Sequence, residues 1–371
     1  MRNDLIAVVL PPREAFSPAA TGAIGLVVHR LAVQPSVFQP LVLGAPVAAP
    51  FAGAKFRPVR PPWMLAGTAT RYAAGVVQTL AGRVPALVEV HNRPELALAL
   101  AERIPAPVLL VLHNDPQGMR RARSPAERRF LLGTLARVAT ISYTLRDLLL
   151  DGLPEPPRQP ELLPNCIDLA ALPPPAPREN VLLFAGRVVA DKGADTFVDA
   201  CARALPDLPG WRAEMIGADR FGADSPETPF LRALRPRAAA AGVTLRGWLP
   251  HEQVLAALAR AGIAVVPSRW PEPFGMAALE AMASGTPLIC SSRGALPEVT
   301  SDAALRIEAD DPAALAAAMV ALACDPGRRE ALAQAGRARA ALFDAPAAAG
   351  RLDALRRDVL AAWSAGEASP I

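Results

Sequence analysis

Two cations in the second half of the chain occupy a segment that could bind a diphosphate. Arg187 and Lys192 lie in FAGRVVADKGADTF (184–197), where a strand-like run is followed by glycine and then by a helical pattern. The N-terminus of a helix offers free N–H groups and partial positive charge, and the two side chains add full charges. An ordinary solvated surface loop is the alternative interpretation.

Two carboxylates lie eight residues apart in SRWPEPFGMAALEAMASGTPLI (268–289). Glu272 is in a proline-bounded loop, where it can accept hydrogen bonds from sugar hydroxyls, and Gly275 and Met276 would present N–H groups to an anion. Glu280 lies one turn inside a predicted apolar helix, where burial without partners would cost about 2 kcal/mol or more. The hydroxyls of a ribose could satisfy this carboxylate with charge-assisted hydrogen bonds. A buried ion pair with an arginine from elsewhere is the alternative.

Two histidines end successive predicted strands in the first half. His91 is in VEVHNRPE, and His113 is in LLVLHNDPQ, where Asn114 follows it. Open α/β sheets bind ligands beyond the carboxyl ends of their strands, which makes both histidines candidates for an active site. A hydrogen-bonded structural role is the alternative for either one.

Apolar runs of strand length alternate with helical patterns along the whole chain. The predicted strands are 5–10, 40–46, 86–92, 108–114, 138–142, 180–186, 212–217, 243–247, 263–268 and 287–292. Continuous apolar strands with helices between them indicate parallel sheets covered on both faces. The predicted fold class is therefore α/β, with two doubly wound, Rossmann-like domains facing a central cleft.

A proline-rich segment at 173–179 predicts a semi-rigid linker between these domains. The predicted limits are 1–172 for the N-terminal domain and 173–350 for the C-terminal domain. The remaining residues, 351–371, contain RLDALRRDVLAAW, which places four apolar side chains on one helical face. We expect this C-terminal helix to pack back across the domains.

Composition excludes several classes of protein. Hydrophobic residues make up 52% of the 371 and charged residues 20%, which favours a folded chain. The four cysteines have no CxxC spacing, which argues for reduced thiols and against a zinc site. The longest apolar run, 313–324, is far shorter than the roughly 20 residues of a membrane span, and the first residues predict a strand rather than a signal peptide. These features favour a cytoplasmic protein.

Charge is distributed unevenly along the chain. Residues 1–175 hold 18 Lys and Arg against 12 Asp and Glu, a net charge of +6, and the remainder has a net charge of −2. This fits an anionic partner such as a phospholipid surface, but it is too mild to indicate nucleic acid. A group of arginines after His113 could meet such a surface or an anionic acceptor: Arg120, Arg121, Arg123, Arg128 and Arg129. A solvated helix face is the alternative for this group.

GRVVADKG together with EPFGMAALEAMASGTPLICSSRGALPEV (272–299) resembles the family 4 glycosyltransferases of the GT-B fold. The resemblance extends over nearly the whole chain. It implies a retaining transfer of a sugar from a nucleotide-sugar donor, without a metal or any other cofactor. It also implies that the N-terminal domain faces the acceptor and that the C-terminal domain binds the nucleotide-sugar.

The resemblance implies roles for individual residues. Arg187 and Lys192 would bind the donor diphosphate, and His113 would lie near the reacting sugar. FSPAATGAIGLVVHRLA (16–32) is similar to the glycine-rich loop of the family, although Gly22 is followed by alanine where relatives often have a glycine pair. The implied catalytic residues are His113, Glu272, Arg187 and Lys192. The implied donor-binding residues are Gly22, Arg187, Lys192, Glu272, Phe274, Gly275, Met276 and Glu280, with His91 and Asn114 on the acceptor side.

The family's chemistry is generally written as front-face attack, in which the departing phosphate takes the proton of the acceptor hydroxyl. Sequence does not distinguish UDP, GDP and ADP donors, and UDP is favoured by its frequency in the family. A saccharide or lipid-linked acceptor suits cell-envelope or exopolysaccharide assembly, at the inner face of the membrane. A nucleotide-dependent oxidoreductase is disfavoured because LPPREAFSPAATG lacks a GxGxxG turn. A non-catalytic binding or scaffold protein of the same fold remains the alternative.

Overall fold

The structure is a computed structural model of the 371-residue chain and describes residues 4–20, 22–219 and 226–366. It contains two compact units. The first consists of the residues up to Cys166 together with those from Ala345 onward, and the second is Ile167–Asp344. The domain limits at 172 and 350 stay a sequence-based prediction.

The first unit contains a parallel sheet with helices between its strands. Its strands in the described part of the chain are β1 (Leu5–Val9), β2 (Gln39–Gly44), β3 (Lys55–Pro58), β4 (Leu87–His91), β5 (Val108–Leu112), β6 (Arg137–Thr140) and β7 (Glu161–Leu162). The connecting helices are α1 (Ala23–Ala32), α2 (Thr68–Leu80), α3 (Pro94–Ala101), α4 (Pro125–Thr134) and α5 (Tyr143–Leu150). The strand order is β3-β2-β1-β4-β5-β6-β7, with every pairing parallel.

The second unit repeats this organisation. Its strands among the described residues are β8 (Glu179–Ala185), β9 (Arg212–Ile216), β10 (Val243–Gly247), β11 (Ala261–Val266), β12 (Leu288–Ser291) and β13 (Leu305–Ile307). Its helices are α6 (Ala194–Ala204), α7 (Pro229–Ala240), α8 (His251–Arg260), α9 (Met276–Ala283), α10 (Leu296–Thr300), α11 (Pro312–Ala323) and α12 (Pro326–Ala341). The strand order is β10-β9-β8-β11-β12-β13, again parallel throughout.

In both sheets the strand order reverses beside the first strand, between β1 and β4 and between β8 and β11. This is the doubly wound arrangement, and loops that leave two neighbouring strands at the reversal lie next to each other. The loops after β8 and β11 are the two segments that the sequence analysis selected. The topology therefore brings them to one edge of the second sheet.

Burial explains why the predicted strands form. Every residue of β4 and β5 is buried, as expected for central strands covered by helices on both faces. The ten predicted strands are all present, with ends that shift by a few residues. The sequence analysis did not predict β3, β7 and β13, because these are short edge strands with few apolar residues.

Side-chain caps fix the starts of several helices. Ser124 forms a capping box with Glu127 at the start of α4, and Ser142 caps α5. Asp311 and Asp325 accept hydrogen bonds from the first N–H groups of α11 and α12. No helix in the described ranges is long and apolar enough to cross a membrane.

The final helix, α13 (Ala345–Ser364), belongs to the first unit. It begins six residues before the predicted start, and residues 367–371 of the predicted segment lie outside the described part of the chain. Leu352, Leu355 and Val359 are buried on its inner face, as the apolar pattern predicts.

Arg128 differs from the sequence-based interpretation of its arginine group. It is buried in α4, where Nε donates to the carbonyl oxygen of Leu149 at 2.9 Å and Nη1 donates to that of Arg123 at 2.7 Å. Arg128 therefore donates hydrogen bonds to carbonyl groups inside the fold. It lies neither on a solvated helix face nor where an anionic partner could bind it. The other four arginines are exposed.

Candidate active site

Lys192 ends a short 3-10 turn, Ala190–Lys192, in the loop after β8. Gly193 follows with a φ of +69°, and α6 begins directly after it. An added Cβ at Gly193 would overlap the carbonyl oxygen of Pro267, so the close approach of these two loops requires glycine. The Nζ atom of Lys192 donates to Oε1 of Glu272 at 2.6 Å. The predicted phosphate-binding cation and the predicted sugar-binding carboxylate thus form one ion pair.

Arg269 joins the two loops that carry this pair. Its backbone N–H donates to the carbonyl oxygen of Asp191 at 2.9 Å, and so does the N–H of Trp270. Its guanidinium group donates to both carboxylate oxygens of Asp195, at 2.7 and 3.0 Å, and to Oγ1 of Thr196 at 2.8 Å. Such a two-point contact fixes direction as well as distance. Arg269 was not among the predicted site residues, although it lies in the same segment as Glu272 and Glu280.

The backbone of Glu272 is fixed from the other side by the loop after β12. The N–H of Ala295 donates to the carbonyl oxygen of Glu272 at 2.8 Å. Gly294 has a φ of +60°, and a Cβ there would overlap the backbone of Glu272. Glu272 therefore has a defined position before any ligand binds.

The residues at the start of α9 are positioned by a glycine turn. Gly275 has a φ of +97° and precedes Met276, the first residue of the helix. Phe274 is buried and packs edge to face on Phe343, with ring centroids 5.6 Å apart. The structure therefore places Phe274 in the apolar core beside the predicted donor site. Its role in donor binding stays a prediction.

Glu280 is buried on α9, and its carboxylate contacts a histidine side chain. Nε2 of His251, the first residue of α8, lies 2.8 Å from Oε1 of Glu280. This half-buried histidine is a partner of Glu280 that the sequence analysis did not consider. His251 lies 29 residues from Glu280, so no local pattern could indicate this contact.

Arg187 lies two residues after β8 and is half-buried. Near it, a cavity of about 330 Å³ opens at the carboxyl ends of β9 and β10. The lining is mixed, with apolar side chains and the polar groups of one acidic and two basic residues: Val188, Met215, Gly217, Ala218, Glu227, Leu231, Arg235, Leu245, Arg246, Gly247 and Trp248. This edge of the sheet therefore combines positive charge with a partly open cavity.

In the first unit, the two predicted histidines are in direct contact. Nε2 of His113 and Nδ1 of His91 are 2.9 Å apart, and both residues are buried. The side chain of Asn92 accepts hydrogen bonds from the N–H groups of His113 and Asn114, at 3.2 and 3.1 Å. Asn114 itself is exposed.

The histidine pair continues into a buried chain of charged groups. Nε2 of His91 lies 3.0 Å from Oε1 of Glu89, and Arg356 of α13 donates twice to Oε2 of Glu89, at 3.0 and 2.9 Å. Arg356 also donates to Asp353 at 3.1 Å. Sequence reasoning missed Glu89 and Arg356. Glu89 could have been noticed, since it is a carboxylate inside an apolar strand and on the same face as His91.

The buried position has different effects on the pKa values of Glu89 and His113. Burial alone would raise the pKa of Glu89, but the charge of Arg356 and the contact with His91 overcome it and lower the pKa to about 2. Burial lowers the pKa of His113 well below 6.5. Glu89 is therefore ionised and His113 is uncharged near neutral pH.

Gly22 precedes the first residue of α1, where Glu14 accepts a hydrogen bond at 2.9 Å from the N–H of Gly25. Burial raises the pKa of Glu14, and the hydrogen bonds from Gly25 and Gly22 partly oppose this. A carboxylate therefore occupies the helix start that the sequence analysis assigned to donor phosphates. Contact between Gly22 and a donor stays a prediction, and Thr21 of the same loop lies outside the described residues.

Within residues 4–20, 22–219 and 226–366, no group of three or more His, Cys, Asp or Glu side chains is arranged to hold a metal ion. The four cysteines are free, and Cys324 alone among them is exposed.

The loops that carry Lys192, Glu272 and Glu280 all lie in the part of the chain that matches a known family. The profile described as "Glycosyl transferases group 1" matches residues 173–339. This part of the chain is a group 1 glycosyltransferase domain. The glycogen synthase of Mycobacterium tuberculosis is 29% identical over 261 residues, which cover 66% of this chain and 61% of that protein. The chain thus spans about three-fifths of the length of this relative.

Solved structures extend the likeness from the group 1 domain to the whole fold. Sucrose-phosphate synthase from Thermosynechococcus elongatus has a TM-score of 0.77 at 21% identity, covering 97% of this chain and 100% of that one. HepE from Anabaena, solved in complex with UDP and glucose, has a TM-score of 0.75 at 17% identity, covering 94% and 98%. These likenesses confirm the predicted GT-B fold, with two Rossmann-like parallel sheets.

Proposed function

We propose that the protein is a retaining glycosyltransferase of family 4 that moves a sugar from a nucleotide-sugar, with UDP-sugars favoured, to a saccharide or lipid-linked acceptor. The observation that carries this proposal is the Lys192–Glu272 pair, at 2.6 Å, within a group 1 glycosyltransferase domain. A cation and a carboxylate held together by rigid loops suit the two ends of a sugar diphosphate, since phosphate needs positive charge and sugar hydroxyls need acceptors. The likeness to a structure in complex with UDP and glucose supports the choice of donor.

The second unit offers one group for each part of such a donor. Lys192 and Arg187 would bind the diphosphate, and the start of α9 at Gly275 and Met276 would add N–H groups. Glu280 would hold the ribose, and Glu272 would accept hydrogen bonds from the transferred sugar. The bound diphosphate would replace Glu272 as the partner of Lys192, and the Glu272 carboxylate would then be free to bind the sugar.

Catalysis would consist mainly of stabilising the departing diphosphate. As the bond between the sugar and the phosphate breaks, negative charge grows on the phosphate oxygens next to Lys192 and Arg187. Fixed positive charge at that point lowers the barrier without reorganisation. The departing phosphate would take the proton of the acceptor hydroxyl, and we propose that no metal ion or other cofactor is needed.

The proposal is tested by turnover with three donors, UDP-glucose, GDP-mannose and ADP-glucose, and by the anomeric configuration of the product, read by NMR. We expect release of one nucleotide, dependent on an acceptor, and a product with the anomeric configuration of the donor. An inverted product would contradict the retaining mechanism. Nucleotide binding without turnover across a broad set of acceptors would favour a non-catalytic binding or scaffold protein.

We further propose that the protein works on the cytoplasmic side of an anionic membrane, in cell-envelope or exopolysaccharide assembly. Residues 15–88 contain no Asp or Glu but six Lys and Arg. Between β3 and α2 in this segment, Trp63 is 86% and Leu65 is 96% exposed, with exposed Arg57 and Arg60 nearby in sequence. Apolar side chains next to basic ones are suited to the interface of an anionic bilayer.

Replacing Trp63 and Leu65 together with serine should therefore reduce binding to phosphatidylglycerol vesicles at least about fivefold in co-sedimentation, because both apolar contacts are lost. Leu342→Ser, at a residue that is 58% exposed in the second unit, is the matched control and should bind as the wild type does. Equal loss in the control would contradict this surface as the contact. Equally strong binding of the wild type to uncharged phosphatidylcholine vesicles would contradict the requirement for an anionic membrane.

A further inference from the structure

The buried chain of charged groups in the first unit ends at a histidine ring. From Arg356 through Glu89 and His91 to His113, each side chain is within 3.0 Å of the next. All four residues are buried. Such a chain restricts where hydrogens can be, because every buried contact needs one donor and one acceptor.

This series of side-chain contacts leads to one assignment of the ring hydrogens. Ionised Glu89 can only accept, so the hydrogen in its contact with His91 is on Nε2 of His91. Glu89 and Asp353 share the guanidinium group of Arg356, and burial disfavours a positive charge on either histidine ring. With His91 uncharged, its Nδ1 atom is an acceptor. Nε2 of His113 must then be the donor across the 2.9 Å contact.

We infer that Glu89 and His91 are positioning residues that hold His113 in its Nε2–H tautomer. The Nδ1 atom of His113 is left with a lone pair, and none of the described residues hydrogen-bonds to it. This atom is a hydrogen-bond acceptor for a sugar hydroxyl. Arg356, from the last helix of the fold, stabilises the arrangement through Glu89.

Because the departing phosphate takes the proton of the acceptor hydroxyl, His113 keeps its own hydrogen on Nε2 and accepts a hydrogen bond from a hydroxyl of the bound sugar.

The role toward a sugar hydroxyl depends on the proposed glycosyltransferase function, but the tautomer does not. The first experiment therefore uses the full-length protein without nucleotide or sugar. The chain has only four histidines, so a ring nitrogen–proton NMR correlation of protein labelled with ¹⁵N-histidine contains four patterns. The variants His29→Gln and His251→Gln identify the two histidines outside the pair.

We expect both remaining histidines to show a protonated Nε2 and an unprotonated Nδ1 at pH 7.5. A protonated Nδ1 on either ring, or an imidazolium at His91, would overturn the inference. This spectrum decides the question with the wild-type pair intact, even if a variant within the chain fails to fold. A failed transferase assay would leave the spectrum unchanged, so the two proposals can fail separately.

Glu89→Gln tests the consequence for the reaction. The amide N–H of glutamine can donate to His91, which reverses both tautomers and turns Nδ1 of His113 into a donor. We expect reversed ring patterns together with a fall in kcat of about tenfold or more, with the KM for the donor changed less than about threefold. Asp353→Asn is the matched control, because it alters the charge beside Arg356 but leaves the Glu89–His91 contact in place. It should keep the wild-type ring pattern.

Discussion

Lys192→Ala should weaken nucleoside diphosphate binding by roughly 1.5–3 kcal/mol, which is about 10- to 150-fold in Kd, as for other hydrogen bonds to charged groups. Lys192 is held beside Glu272 by the turn before α6 and by the Arg269 contacts, so its removal takes a fixed positive charge out of the proposed diphosphate site. Isothermal titration with UDP, GDP and ADP measures the effect. The wild-type titration also shows which base is bound.

Lys55→Ala is the matched control for this measurement. The chain contains only two lysines, and Lys55 is exposed on β3, where its Nζ atom donates to Gln39 at 3.0 Å. Its removal should leave nucleotide affinity unchanged. Uridine, which lacks phosphates, should bind the wild type and Lys192→Ala equally. If all variants bind UDP alike, Lys192 does not contact the diphosphate and the proposed donor site is wrong.

Gly193→Ala should be among the most destabilising single substitutions in the second unit. Its φ of +69° costs an L-residue about 1–2 kcal/mol. The added Cβ would also overlap the carbonyl oxygen of Pro267, and overpacking of this kind costs about 1–3 kcal/mol more. The sum, roughly 2–5 kcal/mol, should appear as a lower midpoint of urea unfolding, followed by tryptophan fluorescence. Because Gly193 directly follows Lys192, nucleotide affinity should fall as well.

Gly210→Ala separates the two contributions. Gly210 lies in the same unit with a φ of +81°, and an added Cβ there meets no atom within 4 Å. This variant should lose only the conformational part, about 1–2 kcal/mol, and should keep nucleotide affinity. Equal midpoints for the two variants would mean that the loop after β8 can move away from Pro267. The ion pair would then not be held as rigidly as the structure indicates.

Much of the fold follows from local sequence. A strand buried on both faces is apolar at most positions, so runs such as VLLVL in β5 could be recognised from the sequence. The loops at the carboxyl ends of such strands could also be recognised in the sequence, because glycine, proline and charged residues follow the apolar runs there. Strands β3, β7 and β13 were not visible, since short edge strands lack that continuous burial.

The sequence alone therefore determined the class of fold, the two loops of the candidate site and the four residues in them that could bind a nucleotide-sugar. Only the tertiary structure decided which side chains meet. Lys192 and Glu272 are 80 residues apart, His251 and Glu280 are 29 apart, and Glu89 and Arg356 are 267 apart. Local patterns report how each segment is buried, whereas such contacts depend on strand order, which places β8 beside β11, and on the packing of α13 in the first unit. Partners of this kind are set by the assembled sheets and helices rather than by the segments that carry them.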